Sequence, residues 1–148
     1  MKRKWRLIFA VLICSLMIFS LASCKNSNTL QDGYYTAKTQ DYSHGWKEFV
    51  TIMVQDGEIV AAEYNAENAS GFIKSWDNAY MRNMLPVAGT YPNEYTRYYS
   101  SQLLDTKGTV QIQALAGATQ SYNRFQKLTA AVVEQAKKGD STTIIIDA

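Results

Sequence analysis

Leu7 to Phe19 is almost unbroken apolar, preceded by Lys2, Arg3, Lys4 and Arg6 and followed by small residues up to Ser23. That order predicts a secretory signal over residues 1–23. Further on the hydrophobic period is two. Between Trp46 and Gln55, Val50, Ile52 and Val54 share one face while Lys47, Thr51 and Gln55 share the other, which predicts a half-buried strand. Gly33 to Thr39, rich in aromatic and β-branched residues, predicts a strand before it, and Asp41 to Gly45 a polar turn. Asp56-Gly57 suits a two-residue type I′ turn with positive φ at both positions, so Glu58 to Tyr64 reads as the returning strand. The period then lengthens to that of helices. Ser75 stands where it can cap a helix bearing Trp76, Ala79, Tyr80, Asn83 and Met84, ending before Pro86. Pro92 suits the first turn of a second helix, with Tyr95, Tyr98, Tyr99, Gln102 and Leu103 in register and Gly108 closing the segment. Thr109 to Gln113 predicts a short strand. The clearest helix follows, with an apolar stripe of Tyr122, Phe125, Leu128, Val132 and Ala136, Lys137 and Lys138 in its last turn, and Gly139 as its stop. Thr142 to Asp147 reads as a final strand. The fold class is α+β: an antiparallel β meander with packed helices.

Charge changes meaning once the leader is set aside. The 148 residues carry 15 basic and 13 acidic side chains, a net charge of +2. Four of the basic residues lie in the leader, so residues 24–148 keep 11 against 13, a net charge of −2. That balance argues against nucleic acid as a partner. The two cysteines, Cys14 and Cys24, exclude a disulfide scaffold, and with a single histidine no ordinary zinc or iron–sulfur site is expected.

Leu21-Ala22-Ser23-Cys24 resembles a bacterial lipobox, which is cut before the cysteine and diacylated on its sulfur. The resemblance implies a diacylglyceryl anchor on Cys24, which would hold the chain on the extracytoplasmic face of the cell membrane. Residues 24–31 then form a lipidated tether, and 32–148 a single domain.

The chemistry is sought at Ala116-Gly117-Ala118-Thr119-Gln120-Ser121. Small residues lead into the clearest helix, leaving the backbone open to close approach. The Thr119 and Ser121 hydroxyls join the unpaired N–H groups of a helix start, which favour an anion and phosphate above all. The same residues also suit a plain tight turn with a Ser or Thr cap.

This segment, with Phe125 beyond it, resembles the flavinylation motif of the FMN-binding domain family. Tyr42-Ser43-His44-Gly45-Trp46, Val50-Thr51-Ile52, Asp56-Gly57-Glu58-Ile59-Val60 and Ser70-Gly71 extend the likeness over roughly residues 32–139. In that family a flavin transferase joins FMN, through its phosphate, to the last threonine of the motif. The resemblance implies an FMN phosphoester on Thr119, with Ala116, Gly117, Ala118 and Ser121 around the cofactor. It also implies electron transfer from a quinone-linked donor. The family pattern usually begins with Asp six residues before the threonine, where this chain has Gln113, and has Ser or Thr where it has Ala116. Two other roles are compatible with this sequence. One is a precursor whose signal peptide releases a short pheromone from Leu16 to Ser23; the other is a cofactor-free surface binding module of the same fold.

The carboxylates are scattered, and no nucleophile is paired with His44, so no catalytic acid–base residues are expected. His44 reads as a loop residue, Lys74 and Arg82 as a solvated face, and most of the tyrosines as packing.

Overall fold

A computed structural model describes residues 29–108 and 112–148. The signal segment, Cys24 and the first residues of the tether lie outside the described residues.

Four strands form one sheet: β1 (Gly33–Thr39), β2 (Lys47–Gln55), β3 (Glu58–Glu67) and β4 (Ile144–Ile146), in the order β3-β2-β1-β4. β1, β2 and β3 are the expected antiparallel meander, with Gly33 opposite Val54 and Thr51 opposite Glu63. Asp56 and Gly57 both have positive φ, at 54° and 75°, as the hairpin turn requires. β4 departs from the meander, because it joins β1 in parallel, Ala37 opposite Ile144. The sheet is therefore mixed.

Helices α1 (Asn78–Ala88), α2 (Pro92–Asp105) and α3 (Thr119–Lys138) follow the meander. α3 packs on β1 and β2, and α2 packs on β3. Their apolar stripes meet the inward side chains Tyr35, Val50, Ile52 and Tyr64. At the centre the Tyr99 ring stacks on Phe125 with centroids 5.2 Å apart, and Tyr64 tilts against Phe125 at 5.1 Å. Leu30 packs on this core, and the Gln31 N–H donates to the Ala136 carbonyl at 2.9 Å. Leu30 and Gln31, expected in the tether, thus pack against the domain.

Two local expectations are corrected, and a third falls mostly outside the described residues. α1 is capped by Asp77, whose side chain accepts from the Tyr80 N–H at 2.9 Å, while Ser75 sits in a short 3-10 turn, Lys74–Trp76. α1 also runs through Pro86 to Ala88. Pro86 gives up the N–H bond to the Arg82 carbonyl, and the helix continues only through Val87 and Ala88 before Gly89 caps it in the left-handed conformation. The strand expected over Thr109–Gln113 is not seen at Ile112 and Gln113, and 109–111 lie outside the described residues. The irregular stretch beyond is pinned by tyrosines: the Tyr122 hydroxyl donates to the Ile112 carbonyl at 2.8 Å, and the Leu115 N–H donates to the Tyr99 hydroxyl at 3.0 Å.

Candidate functional site

The start of α3 opens onto a cavity of about 340 Å³, within the usual range of about 300–1,000 Å³ for small-molecule sites. Gly117, Ala118, Thr119, Gln120 and Ser121 form one wall. Ser43 and His44 from the β1–β2 turn, Glu48 from β2, Lys74, and Tyr80, Met84, Tyr95 and Arg124 from the helices form the rest. Ala116, expected with this group, is not among the lining residues, and Gln113 is exposed outside the cavity.

Thr119 is exposed and occupies the first helical position. Neither it nor Ser121 is the cap. The cap is Ala118, which offers no side-chain acceptor, and the first intrahelical bond runs from the Tyr122 N–H to the Ala118 carbonyl at 2.9 Å. The N–H groups of Thr119, Gln120 and Ser121 are therefore left to the cavity and to solvent, an anion-favouring arrangement. Gly117 has φ of 80°, and a Cβ there would lie 2.0 Å from the Ala88 carbonyl oxygen. Its missing side chain is thus used against the end of α1, not to admit a ligand.

Beneath this wall lies a buried charge cluster that the sequence reading left unassembled. The Glu48 side chain is 5% exposed. Arg124 Nη1 donates to Glu48 Oε1 at 3.2 Å, and Nη2 donates to Ser43 Oγ at 3.0 Å. The Tyr64 hydroxyl donates to Glu48 Oε2 and also lies 2.9 Å from the Ser121 carbonyl oxygen, joining β2, β3 and α3 in one network. Burial pushes the Glu48 carboxyl above its usual range, against the pull of Tyr64, Arg124 and Lys74. The Tyr64 phenol is raised well above its ordinary value, first by burial and then by the Glu48 charge. Burial likewise raises Tyr95.

The reading of Lys74 is also corrected. Read as a solvated side chain, it is only 8% exposed. Among the described residues its ammonium makes no hydrogen bond or ion pair; it sits 4.7 Å from the Tyr80 ring centroid and 5.9 Å from that of Trp46. Burial lowers its pKa, with Glu48 opposing. Arg82 is exposed, as expected, and His44 is exposed at the cavity rim with φ of 51°.

A second cavity, of about 360 Å³, adjoins the first. It is lined by Tyr80, Asn83, Met84, Val87 and Ala88, so Tyr80 and Met84 border both. One compartment is cationic and polar; its neighbour is largely apolar. No cluster able to hold a metal ion occurs among the described residues.

No protein-family model matches the chain. The 15 kDa lipoprotein of Treponema pallidum (strain Nichols) is 30% identical over 126 residues, which cover 84% of this chain and 89% of that protein. A crystal structure from Clostridium perfringens superposes with a TM-score of 0.76 at 34% identity, covering 80% of this chain and 98% of that one. A solution NMR structure from Clostridium thermocellum gives 0.51 at 26% identity, covering 72% and 92%.

Proposed function

Since the chain belongs to the family of the 15 kDa lipoprotein of Treponema pallidum, we propose that it is an exported domain anchored through a diacylglyceryl group on Cys24 that carries FMN on Thr119. The observation that supports the cofactor is the pair of adjoining cavities. FMN is an anion at one end and a large apolar ring at the other. The cationic compartment at the start of α3 suits its phosphate, and the apolar one across Tyr80 and Met84 suits its ring. When bound, the flavin supplies reversible electron transfer, and the protein supplies position and electrostatics.

The chain's own residues then divide the work. Thr119 Oγ1, exposed at the first helical position, forms the ester bond to phosphorus. A phosphoanhydride of the activated flavin donor breaks in that step, its nucleotide leaves, and the hydroxyl proton passes to the transferase or to water. The α3 N–H groups and Arg124 face the phosphate charge. Tyr80 and Met84 flank the apolar part. Covalent attachment suits an exported protein, because a cofactor that dissociates outside the cell is lost by dilution. Gln113 lies outside the cavity, so its departure from the motif bears on transferase recognition and leaves the ligand's seat intact. The donor on this reading is quinone-linked and membrane-resident.

Visible absorbance tests the reading. Full-length protein co-produced with a flavin transferase should keep a flavin spectrum after denaturation and desalting, and Thr119→Ala should be colourless. A colourless wild type beside a flavinylated control protein would refute covalent loading.

A further inference from the structure

We propose that Lys74 is the anion-recognising residue of the cavity, seating a phosphate monoester between its ammonium and the opening turn of α3, and so selecting phosphorylated ligands over their neutral counterparts. The inference deepens the flavin reading and rests on the same cavity, but its ligand chemistry is separable from flavin.

A helix start alone binds anions weakly and indiscriminately. Here Lys74, 8% exposed as a residue, presents its ammonium to the same space. Drawing a charged amine largely out of water is unfavourable unless hydrogen-bond acceptors replace the water it loses. The rings of Tyr80 and Trp46 return only part of that. Glu48 attracts the ammonium only at longer range. Its two oxygens already accept from Arg124 and Tyr64, and no ion pair joins it to Lys74. The cluster therefore holds two cations against one carboxylate, with Lys74 the cation lacking an acceptor. A phosphate oxygen supplies that acceptor, and its negative charge holds the ammonium protonated against the effect of burial.

Arg124 is the supporting charge, since its guanidinium is already engaged by Glu48 and Ser43. A ligand without phosphate leaves the ammonium as it was and gains only the apolar contacts.

The test is an equilibrium titration of the full-length protein in detergent, followed by the amide signals of Thr119, Gln120 and Ser121, with inorganic phosphate, FMN and riboflavin as probes. In the wild type, phosphate and FMN should shift these amides, and FMN should bind at least about tenfold more tightly than riboflavin. Lys74→Met, close in length and well suited to a buried site, should weaken phosphate and FMN by about tenfold or more and leave riboflavin unchanged. Lys74→Arg should retain most of the phosphate affinity, while Arg82→Met serves as an exposed control without effect. The proposal is overturned if Lys74→Met binds phosphate like the wild type, or if folded wild type shows no response to phosphate. Phosphate binding through Lys74 with no preference for FMN over phosphate would keep this proposal and remove the flavin one. Tight FMN binding indifferent to Lys74→Met would do the reverse.

Discussion

Glu48 shows how one residue can organise a site. It occupies an inward position of β2, between Trp46 and Val50, where alternation calls for an apolar side chain. That breach was visible in the sequence, and following the alternation back from Val50 by two residues would have found it. Arg124 and Lys74 carried no such signal, because their burial depends on which elements meet. Glu48 also sets a pH dependence. Its folded carboxyl is held above the ordinary glutamate value of 4.5, so the folded state binds its proton more tightly than the unfolded chain. Its contribution to stability is full below that value and falls as pH rises through the folded one. Glu48→Gln should therefore gain stability relative to wild type as pH rises, read from urea midpoints at several pH values; a constant difference would contradict the assignment. Gly117 makes a second residue-scale prediction. Gly117→Ala places a Cβ against the Ala88 carbonyl at φ of 80° and should cost at least about 1–3 kcal/mol in chemical denaturation.

At the scale of elements, the meander, the Asp56-Gly57 turn, α2 and α3 were all legible, because strong periodicity and turn chemistry agreed there. The limits of α1 were not. Asp77 outcompeted Ser75 as cap because the Ser75 hydroxyl is taken by the Asn65 amide at 2.9 Å, a contact that arises only when β3 and the 3-10 turn meet. Asp77→Ala should lower stability by about 1 kcal/mol, with the loss of helicity confined to α1 in hydrogen exchange. The parallel pairing of β4 was also hidden. α3 carries the chain back to the end where β1 begins, with the Gln31 N–H on the Ala136 carbonyl, so the strand after Gly139 must run in the same direction as β1. No local pattern in three isoleucines reports that.

For the whole molecule, α3 acts as a spacer. Its 20 residues span about 30 Å at 1.5 Å per residue. The cavity lies at its first turn, and the chain leading back toward Cys24 meets its last. Gln31 and the cavity therefore stand at opposite ends of α3, and a lipid on Cys24 and a flavin on Thr119, as proposed, should each be removable without the other. Cys24→Ser should move the protein from the membrane to the soluble fraction, while flavin loading persists in the presence of transferase. The small residues that open α3 were readable from a short local pattern, whereas the depth of the cavity came from five elements converging on one end of the sheet.

Whether Thr119 carries FMN is tested most directly by the mass of the tryptic peptide Gly108–Arg124. From protein co-produced with a flavin transferase, that peptide should be heavier by one FMN less one water, with fragmentation placing the addition on Thr119. An unmodified peptide, obtained while a control substrate of the same transferase is fully loaded, would contradict the account.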